Sequence, residues 1–225
     1  MAGIGMYGVF YAKATVQNGV VTGYTGGTKM MGKAISASFE PNTPDDNPLY
    51  ANNGEAENDS SGASGGTITM TLDRLTLDAA ADLYGLQVVE TQVTVNGEQV
   101  TGRGLRYTGM EQSAPVGVAY IRMNQEDGVR KHEVVLYRRA TFSMPSENAQ
   151  TMGESIEWQT PEISGSVMGM EGDGTNPWYE TMVFPTQAAA IAYVESVLGI
   201  MADKLTPIVG QGAAGYALVV DTPNG

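Results

Sequence analysis

Hydrophobic and polar residues alternate along much of this chain, most clearly between Lys33 and Asp73. Ile35, Ala37 and Phe39 fall on one side of an extended chain, and Ser36, Ser38 and Glu40 on the other. Ile68, Met70 and Leu72 alternate in the same way with Thr67, Thr69, Thr71 and Asp73. A period of two predicts half-buried antiparallel strands. Between the runs lies a polar insert, residues 42–66, which contains no Lys or Arg. So polar a stretch cannot offset its ordering entropy by burying apolar surface, and it reads as a long structureless loop. Loops of this length inside a compact domain tend to be functional or disordered. The expectation is an assembly arm whose inter-subunit residues are Asn42, Asp45, Asp46, Leu49, Tyr50, Glu55, Glu57, Asp59, Ser60 and Gly62.

The same pattern predicts the other elements. Residues 7–16 read as a first strand, followed by a turn-rich connection that opens on Asn18-Gly19, a hairpin signal. After the second alternating run, Thr76 caps a short helix with Leu77, Ala80, Ala81 and Tyr84 as its apolar stripe and Gly85 as its terminator. Residues 86–95 form a strand that turns at Asn96-Gly97 into EQVTGRGLRY. Residues 116–123 and 129–142 are the strongest strand signals, joined through Asp127-Gly128. Residues 154–168 read as a further strand interrupted at Pro161, and WYETMVF as a short run. Thr186 caps a second helix over 186–201 with Ile191, Val194, Leu198 and Met201 buried. The chain thus reads as one mainly β domain over 1–203 with two helices, and a Gly-rich tail over 204–225 to which no role is assigned.

Composition narrows the functional classes. The 225 residues carry a net charge of −13, and the isoelectric point is near 4.3. Nucleic-acid binding by the whole chain is not expected, because phosphate contacts require Lys and Arg. There is no Cys, hence no disulfide framework and no thiolate chemistry. The N-terminus lacks a basic region followed by a long apolar one, and no apolar run reaches about 18 residues, so neither a signal peptide nor a membrane span is expected. Seven of the 12 basic residues lie between Arg103 and Arg139. Arg130, Lys131, Arg138 and Arg139 are the candidate basic patch on which the acidic arm of another copy would dock.

The motifs that could carry catalysis fail on context. GIGMYG at 3–8 matches G-x-G-x-x-G, but no strand precedes it and a strand, not a helix, follows. GASGG places Ser64 in a G-x-S-x-G frame, yet inside a polar loop leading into a strand. The single His, His132, sits in a strand run, and His132-Glu133 lacks the second His of a zinc motif. Asp45, Asp46, Glu55, Glu57 and Asp59 lack the spacing of an EF-hand, so no metal is assigned. Glu154, Glu157 and Glu162 read as solvated or channel-lining strand positions, and Trp158 and Trp178 as core or interface anchors. The expectation is no enzyme and no cofactor.

Two stretches carry a family resemblance. ISASFEPNTPDDNPLYANNGEAENDSSGASGGTITMTLDRL, followed by LDAAADLYG, resembles the phi13-type major tail proteins of long-tailed phages, and GESIEWQTPEISGSVM (153–168) resembles that family's late strand pair. The resemblance runs from about Tyr7 to about Met201. It implies a tail-tube β-sandwich or barrel that self-assembles into stacked hexameric rings, the conduit for DNA ejection. It also implies a virion tail assembled in the host cytoplasm, tape-measure and terminator or adaptor proteins as partners, transient passage of DNA, and no membrane. A tube protein of a related contractile injection or secretion machine is the alternative, and a soluble β-sandwich binding module is a third reading. A conduit for a polyanion should repel it weakly, which makes Asp73, Glu133, Glu157 and Glu162 the candidate lumen-facing residues.

Overall fold

The computed structural model describes residues 2–43, 47–51, 54–59, 63–146, 159–169, 177–199, 205–208 and 215–218. The fold is mainly β, with antiparallel sheets in a sandwich-like arrangement and two helices. In chain order the elements are β1 (Ala2–Gln17), β2 (Val20–Gly32), β3 (Ala34–Pro41), β4 (Asn47–Ala51), β5 (Gly54–Asp59), β6 (Gly65–Leu72) and α1 (Leu77–Tyr84). There follow β7 (Gln87–Val95), β8 (Glu98–Arg106), β9 (Val116–Glu126), β10 (Val129–Ser143), β11 (Glu162–Met168), β12 (Tyr179–Phe184) and α2 (Gln187–Leu198), then β13 (Leu205–Ile208) and β14 (Gly215–Leu218).

The main sheet runs β2-β1-β9-β10-β11-β6-β3, with β12 also paired to β10. It folds into two layers because β10 belongs to both. Residues 132–137 of β10 lie between β9 and β12, whereas Ala140–Ser143 pair with β11. The transition is a β-bulge: Tyr137 faces Val118 and Ala140 faces Val116, so Arg138 and Arg139 together oppose Gly117. One extra residue shifts the side-chain phase by one. Val135 and Tyr137 before the bulge, and Ala140 and Phe142 after it, therefore enter the same core.

That core fills the space between the layers and is closed by Ala79, Ala80, Leu83 and Tyr84 of α1. The opposite face of the central layer forms a second core. Phe10, Ala12, Ala119, Ile121, Val134 and Leu136 pack there against Ala190, Ile191, Val194 and Leu198 of α2. The central strands are thus buried on both faces, which is why VFYA, VAYI and VVLY read as continuous apolar runs. Gly117 makes the second core possible, since a Cβ there would lie 2.4 Å from the Tyr24 ring and 2.7 Å from Leu198.

Several local signals act as expected. Asn18-Gly19, Asn96-Gly97 and Asp127-Gly128 all take positive φ at both positions, the backbone of the tight turns that match strand twist. Thr76 and Thr186 accept from the backbone N–H of Ala79 and Ala189 and cap the two helices.

Other expectations are corrected. The connection after Gly19 is strand β2, because the turn sends the chain straight back along β1; Gly26 and Gly27 (φ 81° and 69°) form an irregularity within the strand. Ile35 leaves the inward row of β3, because the register slips between Ala34 and Ser36 and turns it to solvent. The 42–66 insert is not structureless throughout. It contains the β4–β5 pair, whose backbone groups satisfy one another. On α1, Leu77 is exposed and the buried stripe is Ala79, Ala80, Leu83 and Tyr84. β11 begins at Glu162, and Pro161 stands before it, offering its carbonyl to Leu72 N–H at 3.1 Å. α2 stops at Leu198, before Gly199 at φ 99°. Residues 154–158 and Met201 lie outside the described residues.

Gly117→Ala should overpack the α2 core and lower stability by about 1–3 kcal/mol. Urea unfolding should show a lower midpoint at unchanged slope; an unchanged midpoint would mean that α2 is not seated against β9 as described.

Candidate functional site

Three hairpins form two-stranded sheets of their own: β4–β5, β7–β8 and β13–β14. The β7–β8 hairpin is the longest, in unbroken register from Gln87–Arg106 to Val95–Glu98. Its root is anchored, since Leu86 and Leu105 pack against the interlayer core. Beyond the root it is two-faced. Glu90 and Arg103, Gln92 and Thr101, and Thr94 and Gln99 pair on one face. On the other, Val93, Val95 and Val100 stand 50–52% exposed. A two-stranded hairpin is marginal in water unless its apolar face is covered.

The outer face of the β3-β6-β11 layer is a second feature. Its side chains stand in three registered rows: Ser36–Thr71–Glu162, Ser38–Thr69–Ser164 and Glu40–Thr67–Ser166. Every member is exposed or half-buried, while Ile163, Gly165 and Val167 and Ile68, Met70 and Leu72 point inward. Ser36 donates to the Thr71 hydroxyl at 3.0 Å, linking neighbouring strands. Among the described residues no helix or strand lies across this face.

The expected basic patch is not one patch. Lys131 pairs with Glu126, Arg138 with Glu180 at 2.7 Å, and Arg139 donates to the Gly19 carbonyl at 3.0 Å; Arg130 is exposed. Lys131 and Arg138 are also separated by about 23 Å, at roughly 3.3 Å per strand residue. The lumen candidates are likewise dispersed. Asp73 accepts from the backbone N–H of Lys33 and Arg74, both at 2.8 Å, and ties β3 to the end of β6. Glu133 is mostly covered and accepts from Arg122 at 3.0 Å and Asn124 at 2.7 Å. Glu162 alone stands on the exposed outer face, and Glu157 lies outside the described residues. Of the arm, Asn42 is exposed and donates its backbone N–H to the Gly65 carbonyl at 2.9 Å; Leu49, Tyr50, Glu55, Glu57 and Asp59 lie on β4 and β5; Asp45, Asp46, Ser60 and Gly62 lie outside the described residues.

Two partly buried charge clusters were not apparent from the sequence. Lys13, Lys29 and the Tyr11 hydroxyl converge on Asp82 at 2.6, 2.7 and 3.0 Å, beside a small pocket of about 70 Å³. Burial alone would raise the Asp82 pKa, but the two ammonium groups and Tyr11 outweigh it and hold the carboxyl below its ordinary 3.8. In the other cluster Glu180 accepts from Arg138 and from the Tyr193 hydroxyl, joining α2 to the β12 edge; burial and then Glu180 push Tyr193 up to about 12. His132 shares a 2.9 Å hydrogen bond with Tyr7, and burial holds its pKa down. Among the described residues no three His, Asp or Glu side chains are placed to hold a metal ion. Among them, too, no helix is long and apolar enough to cross a membrane.

No protein-family model matches the chain, and no curated protein matches it in sequence.

Asp82→Asn should lower stability at neutral pH by leaving Lys13 and Lys29 without their shared carboxylate. Because the folded pKa is depressed, this stabilisation is complete above about pH 4 and disappears as pH falls through the lower folded value. Urea midpoints should therefore fall more steeply on acidification in the parent protein than in Asp82→Asn; parallel pH profiles would contradict the assignment.

Proposed function

We propose that this chain is the structural subunit of a phage tail tube, assembling into hexameric rings that stack into a conduit for DNA. The reading starts from the family resemblance of residues 33–85 and 153–168. The observation that carries it beyond resemblance is the set of hairpins outside the main sheet, above all β7–β8 with Val93, Val95 and Val100 uncovered. Such an element gains stability when a neighbouring copy covers it. Closed head-to-tail contacts make a ring and unclosed ones a filament, and a stacked tube uses both. In this reading the polar arm becomes an axial or lateral strap, and the chain performs no catalysis. A place in the virion tail, together with tape-measure and terminator proteins as partners, follows from the same reading.

Purified protein at rising concentration should give rings and then tubes by light scattering and negative-stain microscopy. A protein that stays monomeric throughout would overturn the reading. Replacing residues 44–62 by a short Gly/Ser link retains the Asn42–Gly65 hydrogen bond and the β3–β6 ladder. That variant should unfold as cooperatively as the parent yet fail to build tubes.

A further inference from the structure

Resting on the tube reading, we infer that the outer face of the β3-β6-β11 layer is the wall turned toward the passing DNA, and that this wall works through hydroxyl groups rather than through a dense lining of carboxylates.

Three observations carry the assignment. First, the domain is ordered in depth: this layer, the interlayer core, the central layer, the second core, and α2 on the far side. Both faces of the central strands are buried, so the broad face of the main sheet left open among the described residues is the outer one. Second, the three rows hold seven hydroxyl side chains and two carboxylates, at Glu40 and Glu162 in opposite corners, and no Lys, Arg or His. Third, β3 and β6 lead directly into and out of the arm, and the outer edge of β3 pairs with no strand among the described residues. The wall and the element proposed to reach the next copy therefore share one strand pair.

The chemistry suits a sliding polyanion. Cations on the wall would release condensed counterions on contact and hold the duplex. Exposed apolar side chains would favour contact with other apolar surface; the three rows hold none, and the exposed apolar residues of these strands, Ile35 and Met168, stand beyond the first and last rows. Hydroxyls of Ser and Thr exchange hydrogen bonds with water and with one another, as Ser36 and Thr71 do, so contact with a hydrated phosphate changes little. The two carboxylates add weak repulsion. Of the acids expected in the lumen, Glu162 keeps that role. Asp73 and Glu133 are occupied in holding the fold.

The chain has no native Cys, so single-cysteine labelling tests the assignment directly. Ser164→Cys places a thiol on the outer face and Ala192→Cys places one on the exposed side of α2. In assembled tubes Ser164→Cys should react with a small maleimide but at least an order of magnitude more slowly with a maleimide on a carrier too wide to enter. Ala192→Cys should react with both. Equal carrier labelling at the two positions in intact tubes would put the face outside and overturn the inference while leaving the tube standing. Protection of Ser164→Cys from both reagents would bury the face between copies and overturn it equally. Absence of tubes from the parent protein would fail the tube reading itself and this inference with it. Finally, Ser38→Lys, Thr69→Lys and Ser164→Lys together should make intact tubes retain DNA, with log affinity falling against log salt by about 0.9 for each phosphate neutralised. Lysine-bearing tubes that pass DNA as freely as the parent would overturn the assignment.

Discussion

β10 has to satisfy two layers of one sheet at once. Its first half is buried on both faces, with Val135 and Tyr137 in one core and Val134 and Leu136 in the other. Its second half pairs with β11 and starts the outer layer. The Arg138–Arg139 bulge reconciles these demands by moving the alternation one residue and bending the strand. Without it Phe142 would point to solvent and the outer layer would lose its seat. Each large side chain buried in these cores contributes about 1.5–3 kcal/mol. A phase error along β10 would therefore cost more than most single domains can spare. The bulge arginines are held in turn by Glu180 and the Gly19 carbonyl, which tie β12 and the first turn to the same point.

With the interior fixed in this way, the separate hairpins stand outside the main sheet. β7–β8 is rooted by Leu86 and Leu105 and tied to α1 through Arg103 and Asp78 at 2.9 Å. Its exposed valines, Val93, Val95 and Val100, take no part in the core. β4–β5 likewise pairs only within itself and joins the body through the ends of β3 and β6. Hairpins of this kind add little to the stability of an isolated copy. In the proposed assembly, β7–β8 would contribute when a second surface removes its valines from water.

Local chemistry was the legible part of the sequence. Asn-Gly and Asp-Gly turns and Thr caps each follow from interactions a few positions apart, and all appear where the sequence places them. β2 was hidden because its glycines resemble loop, whereas only the pairing with β1 makes it strand. The α1 stripe was misphased at Leu77, since which side of a two-turn helix is buried depends on the sheets it closes. The candidate site was the least legible. The spacing of Arg138 and Glu180, or of Lys13 and Asp82, carries no local signal, so Arg138, expected in a docking patch, and Lys13, given no role, are both found holding elements together. The Ser and Thr rows were visible as alternating positions, but their convergence into one face required the registers of three strands.

The internal use of cations bears on how copies can meet. Lys13, Lys29, Arg103, Arg122, Lys131 and Arg138 all pair with carboxylates of their own chain. Half of the 12 basic residues are thus already engaged in a molecule of net charge −13. Two copies approaching each other present mostly unmatched acid, which repels at long range. Physiological salt shortens that repulsion to about 8 Å, so it slows encounter without preventing contact. For the proposed tube to form, attraction at close range would come from groups that salt does not screen: uncovered valines, and strand edges with open backbone hydrogen bonds. A charged lock between an acidic arm and a basic patch is not needed for this, and the dispersed arginines do not offer one. In the proposed tube, affinity would fall instead to the apolar face of β7–β8 and the open strand edges, and the acidic surface would keep unassembled copies apart.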